Sequence, residues 1–223
     1  MPLVQLSNIQ KSYRDGENRL NHVLRDVNME IEKGEFVAIK GRSGSGKTTL
    51  LSILGTLLPA DSGSYRLNGF EMKTAMVNHA EIRNRQIGFV FQDHRLMPQL
   101  TALENILLPT LATKAKATAE ETDYARQLME ITRIASVAKQ YPHTLSGGEA
   151  SRVAVCRALM MKPLLLLADE PTGQLDTENA RNMAGLLTEI NKSLQTTIVM
   201  VTHSDETSAA AHRTFTLKEG ILQ

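Results

Sequence analysis

The residues Gly41-Arg42-Ser43-Gly44-Ser45-Gly46-Lys47-Thr48 set glycines, a lysine and a hydroxyl at the spacing G-x-x-x-x-G-K-T, with Thr49 directly behind. A phosphate chain is gripped by backbone N–H groups wrapped around it, and glycines at this spacing let the main chain approach that closely. Lys47 adds positive charge for the β- and γ-phosphates, and Thr48 offers a hydroxyl to magnesium. Far down the chain, Asp169-Glu170 follows the apolar run Leu164-Leu165-Leu166-Leu167-Ala168. A carboxylate at the end of a buried strand can orient magnesium through water, and the next one can polarise an attacking water. Asp169 is read as the magnesium partner and Glu170 as the general base. The chemistry so written is binding and hydrolysis of ATP with Mg2+.

Such a loop works only between a strand and a helix. Phe36-Val37-Ala38-Ile39 supplies a continuous apolar strand in front, and Leu50, Leu51, Ile53, Leu54, Leu57 and Leu58 predict a helix behind it that Pro59 ends. Val4 to Ile9 and Val27 to Ile31 alternate apolar with polar, which suits antiparallel strands around a polar, turn-rich stretch from Arg14 to Asn21. Asn68-Gly69 marks a turn and Ile87-Gly88-Phe89-Val90-Phe91 a buried strand ending at Gln92. Residues 93–161 turn helical: Tyr124, Leu128, Ile131, Ala135 and Ala138 recur at helical spacing, and Arg152 to Met161 predicts a second helix. A short Ala/Lys/Thr loop runs from Lys114 to Glu121. Beyond it come the strand before Asp169, a helix striped by Met183, Leu186, Leu187 and Ile190, the strand Thr197 to Val201, and a closing strand pair, Thr214 to Leu217 and Ile221-Leu222, about Glu219-Gly220. The alternation predicts an α/β domain with a mostly parallel sheet. Residues 1–92 and 162–223 form its core with an N-terminal antiparallel β subdomain, and residues 93–161 an inserted helical subdomain.

Leu145-Ser146-Gly147-Gly148-Glu149 joins a serine hydroxyl to bare amides at a predicted helix start, a second place for an anion. It lies about 20 residues before the carboxylate strand and resembles the signature motif of ABC-transporter ATPases, a resemblance that covers nearly the whole chain. The resemblance implies the ABC ATPase form of the P-loop NTPase fold. Tyr13 matches the aromatic residue that stacks on adenine. Gln92 matches the glutamine that senses magnesium and water and links the sheet domain to the helical one. Asp176, in Gly173-Gln174-Leu175-Asp176, matches an aspartate that crosses a dimer interface, and His203 a histidine that contacts the γ-phosphate. It further implies a head-to-tail homodimer around two ATP molecules, in which the phosphate held by Lys47 and His203 of one copy meets Ser146, Gly147, Gly148 and Glu149 of the other. Two departures stand out: Glu149-Ala150-Ser151-Arg152 lacks the glutamine pair often found after the signature, although Arg152 is kept, and Gln174 stands where asparagine, serine or alanine is commoner.

Within the family, Val90 to Pro98, Leu100 to Ile106 and Asp169-Glu170-Pro171-Thr172-Gly173 look like the lipoprotein-releasing and macrolide-export branch, with the cell-division ATPases nearby. This implies two copies of an integral membrane permease subunit, each engaging a groove near Gln92 to Asn105. A non-transport ATPase of the same fold, acting in cell division, repair or at the ribosome, is the alternative.

The chain has 223 residues, 42% hydrophobic and 22% charged, enough for one large domain with an insertion. A formal net charge of +1 without a run of like charges argues against a nucleic-acid partner. No apolar stretch reaches the ~18 residues of a membrane span, and no secretion signal opens the chain. The lone Cys156 fits a reducing compartment. Together these place the protein in the cytoplasm, held to the cytoplasmic face of a bacterial inner membrane through the permease.

Overall fold

The computed structural model describes residues 1–14, 16, 19–73 and 77–223. In chain order the elements are β1 (Val4–Arg14), β2 (Leu20–Ile31), β3 (Phe36–Lys40), α1 (Lys47–Leu54), β4 (Ser62–Leu67), β5 (Phe70–Glu71), α2 (His79–Arg85) and β6 (Ile87–Val90). Then follow α3 (Ala102–Leu107), α4 (Ala119–Ile131), α5 (Gly147–Leu159), β7 (Leu165–Asp169), α6 (Thr177–Leu194), β8 (Thr197–Thr202), α7 (Asp205–Ser208), β9 (Arg213–Lys218) and β10 (Ile221–Leu222).

Six strands form one sheet in the order β10-β9-β3-β8-β7-β6. Every pairing in it is parallel except β10 with β9. Parallel strands deliver their C-terminal ends to a single edge. The chain therefore leaves β3 for the glycine loop, β6 for Gln92, β7 for Glu170 and β8 for His203 at one rim, and β3 sits between β8 and β9 at the centre.

The period of two along each strand divides the core between the faces of this sheet. Phe36, Ala38, Leu166, Ala168, Ile198 and Met200 point to a cluster built with α3, α4, α5 and α6. Val37, Ile39, Leu165, Leu167, Val199 and Val201 point the other way, onto α1 and the second sheet, β2-β1-β4-β5, which is antiparallel throughout. Because both faces are covered, these strands are uninterruptedly apolar, which is the pattern the sequence carries.

Several boundaries differ from the sequence expectation. The hairpin strands reach into the polar stretch from both sides, Ser12 pairing with His22, Tyr13 with Asn21 and Arg14 with Leu20, while residues 15, 17 and 18 of that stretch lie outside the described residues. Backbone pairing holds this exposed arm, and bulges near Ile9 and Lys11 break the alternation that marks a strand in sequence. Helix α1 ends at Gly55, whose amide bonds back to Leu51, so Pro59 is not its terminator and Leu57 is exposed. Helix α4 stops at Ile131, and Arg133 turns left-handed at φ 59°, so Ala135 sits exposed in a separate turn and Ala138, just after it, packs against the core. Thr118 caps α4, which takes residues 119–121 out of the supposed loop. Helix α5 starts at Gly147, where the signature stretch predicts a helix start and ahead of the apolar stretch from Arg152, and it ends at Leu159. Residue Cys156 on α5 is buried, its Sγ 3.1 Å from Thr132 Oγ1, and burial pushes its thiol up to about 12.

Candidate nucleotide site

Strand β3 ends at Lys40, and the loop turns through Gly44 at φ 78° and Gly46 at φ 101° before α1 begins at Lys47. At Gly46 two constraints coincide: a β-carbon would meet Val23 O at 2.9 Å, and the backbone is left-handed. Gly41 is confined differently, because a β-carbon there would lie 2.5 Å from Leu217 O. The first amides of a helix, here Lys47, Thr48 and Thr49, have no carbonyl one turn back to bond. No side chain caps them among the described residues. Lys47 is 6% exposed and folds over the loop, its ammonium donating to Gly41 O at 2.9 Å and Arg42 O at 3.0 Å. Ser45 Oγ is buried with no hydrogen-bond partner among the described residues. The loop is a ring of donors and one cation around an open centre.

Asp169, the last residue of β7, lies close to the Thr48 hydroxyl. Burial raises its carboxyl above the usual aspartate value, the Thr48 hydroxyl opposes the shift, and the charge of Glu170 adds to it. Glu170 is left-handed at φ 44°, with its amide donating to Val201 O at 2.9 Å. A non-glycine residue held there stores strain that a functional site can use. Its Oε2 lies 3.0 Å from His203 Nδ1, just beyond β8. Gln92 approaches from the end of β6, its Nε2 3.1 Å from where a Gly173 β-carbon would sit. Ser43, Gly44, Gly46, Lys47, Thr48, Thr49, Gln92, Glu170 and His203 line one cleft of about 670 Å³ together with Val23. Gly41, Arg42 and Ser45 border an adjoining hollow with Lys40 and residues 216–219.

The other expected residues lie elsewhere. Ser146 caps α5, its side chain accepting from the Glu149 amide while Glu149 Oε2 takes the Ser146 amide at 2.8 Å and its hydroxyl at 2.6 Å. Those two bonds hold the Glu149 carboxyl below its usual range. Gly147 and Gly148 open the helix beside Leu175 and Asn179 of the same chain. Asp176 caps α6, accepting from the Asn179 amide at 2.8 Å. Ser146, Gly147, Gly148, Glu149 and Asp176 do not line the cleft, nor does Tyr13, which is 43% exposed on β1.

A strand-loop-helix of this kind is shared by many phosphate-binding folds, so comparison with known sequences is decisive. The family profile described as ABC transporter matches residues 24–173, from β2 through the glycine loop and the signature to the segment after Glu170. The chain belongs to the ABC transporter family. It is an ATP-binding and ATP-hydrolysing ABC cassette. A lipoprotein-releasing system ATP-binding protein, LolD 1 of Rhodopirellula baltica, is 43% identical over 99% of this chain and 96% of its own. The macrolide export ATP-binding/permease protein MacB of the same organism is 40% identical over 99% of this chain, which spans 32% of that longer protein. The bacterial ABC transporter cassette MJ0796, solved as a dimer, superposes with a TM-score of 0.89 at 36% identity, covering 99% of this chain and 96% of that one. A dimeric post-hydrolysis state of MJ0796 bound to ADP and Pi superposes equally well.

Three features of the cassette escaped the sequence. Val23 forms a wall of the cleft, placed there by the unexpected length of β2. Arg95 lies near enough to Asp169 for its charge to offset a small part of the rise in that carboxyl. Arg157, in the last turn of α5, donates to His94 O and Arg95 O, each at 2.6 Å. The only sequence signal for Arg157 is a charge within the otherwise apolar run Val153-Ala154-Val155-Cys156 and Ala158-Leu159.

Proposed function

We propose that two copies of this cassette close head to tail on two ATP molecules and drive a separate membrane subunit of the lipoprotein-releasing or macrolide-export kind. One observation carries the reading. Lys47, Gln92, Glu170 and His203 share a cleft that Ser146, Gly147 and Gly148 do not line, although those three sit at an exposed helix start whose amides suit an anion. A second copy supplying its own Ser146 end completes the phosphate cage.

In this arrangement the amides of residues 44–49 and the Lys47 ammonium hold the β- and γ-phosphates. Thr48 and Asp169 present hard oxygens side by side, the donor set magnesium takes, and the ion when bound neutralises phosphate charge. Glu170 accepts the proton of the attacking water. His203 leaves its 3.0 Å contact with Glu170 to bond the γ-phosphate, which frees that carboxylate for the water. Gln92 reports the state of the cleft to the helical segment, and Tyr13 stacks on the adenine.

The membrane subunit docks beside Gln92, where Leu57, Phe89 and Phe91 are flanked by Arg83, Arg95 and Arg157 in a groove of about 500 Å³. Among the described residues no helix is long and apolar enough to cross a membrane, so attachment to the cytoplasmic face runs through that subunit. The test is Glu170→Gln with ATP and magnesium in a sizing experiment. The variant is expected to accumulate as an ATP-bound dimer, and a species that stays monomeric at saturating ATP overturns the proposal.

A further inference from the structure

Directly after Gln92 the backbone does something costly twice in succession: His94 and Arg95 are both left-handed, at φ 57° and 47°. Neither is glycine, and the left-handed region crowds a β-carbon against the following carbonyl. The Arg95 amide reaches back to Asp93 O at 2.6 Å and the His94 amide to Phe91 O at 3.0 Å, which ties the turn locally. His94 Nδ1 is buried with no hydrogen-bond partner among the described residues. What grips the turn from outside is Arg157, whose guanidinium spans the two carbonyls of the two left-handed residues. A planar fork matches a pair of acceptors in a way a single ammonium cannot.

Arg157 stands in the last turn of α5, and Ser146 caps the first. The same helix therefore touches two sites: its start faces the partner's nucleotide in the proposed dimer, and its end holds the segment that follows Gln92 in its own chain. At 1.5 Å per residue the two ends are roughly 16 Å apart on a continuous rod.

We propose that Arg157 is a positioning residue for hydrolysis. By holding the His94 and Arg95 carbonyls it fixes the turn that aims Gln92 into the cleft, and it fastens that turn to the signature helix. The inference rests on the assignment of Gln92 made above.

The test compares kcat and ATP KM under saturating magnesium for Arg157→Ala, Gln92→Ala, the double variant, and Arg157→Ala combined with His94→Gly and Arg95→Gly. Arg157→Ala is expected to lower kcat roughly tenfold, the scale of one residue released from a left-handed conformation, with KM changed less than about twofold. The double variant is expected to match Gln92→Ala alone, because a residue acting through another adds nothing once that other is gone. The two glycines, which adopt the turn unaided, are expected to restore most of the lost kcat. Losses that multiply in the double variant, or no recovery with the glycines, overturn the proposal. If Gln92→Ala leaves kcat intact, the assignment of Gln92 falls and this inference falls with it. Should Arg157→Ala not fold, Arg157→Lys takes its place under the same criteria.

Discussion

Helix α1 begins behind Gly46 and helix α5 opens on Gly147 and Gly148, and in the proposed dimer both starts face phosphate, but their first turns are finished in opposite ways. At α1 the cap residue is Gly46, left-handed, with no side-chain bond and no acidic residue in the first turn. At α5 the cap is Ser146 in extended geometry, closed into a reciprocal box with Glu149. A capping box satisfies orphan amides from within the chain, whereas an uncapped start leaves them for whatever arrives. In the proposed reading the glycine loop is thus completed by its ligand. At the signature end the Glu149 amide and the serine hydroxyl are already engaged within the chain before any phosphate approaches, and the box leaves the Gly147 and Gly148 amides outside it.

The sharpest way to break this contrast is at the uncapped end. Lys47→Ala removes the cation that bridges the open loop, and turnover is expected to fall about 100- to 1,000-fold, as when a preorganised charge-stabilising donor is lost. Hydrolysis that survives the change would mean the loop does not hold the phosphates.

At the capped end the same kind of change should register as stability. Ser146→Ala deletes the box and is expected to cost about 1 kcal/mol, or roughly 2 to 4 °C in Tm by calorimetry, in the absence of nucleotide. An unchanged melting curve would erase the distinction between the two helices.

The smallest effect belongs to Glu149. Its carboxyl is held below the usual range in the folded chain, so its contribution is full above the unfolded value and disappears as pH falls through the folded one. Glu149→Gln is expected to flatten the acid limb of a stability–pH curve by less than ~0.5 kcal/mol. A larger change near neutral pH would show that Glu149 does more than close the cap.

The uncapped end was the more legible of the two in sequence. Apolar strands ending in glycines or carboxylates announce themselves because burial on both sheet faces forces continuous Val, Ile and Leu, as in Leu165 to Ala168. The outer half of the first hairpin did not, since Ser12, Tyr13, Asn21 and His22 are paired through backbone rather than through an apolar face. Helix α2 buries none of its residues and so leaves no apolar stripe to find. At α5 the signature serine marks the helix start in sequence, whereas the apolar pattern begins only near Arg152, because Gly147 and Gly148 contribute no stripe. The left-handed turn at His94 and Arg95 depends on Arg157, more than 60 positions away, and no local pattern encodes such a grip.

The chain's lone sulfhydryl also has an experimental consequence. Cys156 lies inside the helical core with its thiol held in the protonated form, so maleimide-type reagents should leave the native protein unmarked. A cysteine engineered at an exposed position such as Asp176 would then be the one group such a reagent reaches, giving a background-free fluorescent or spin-labelled reporter of closure without first deleting a native residue.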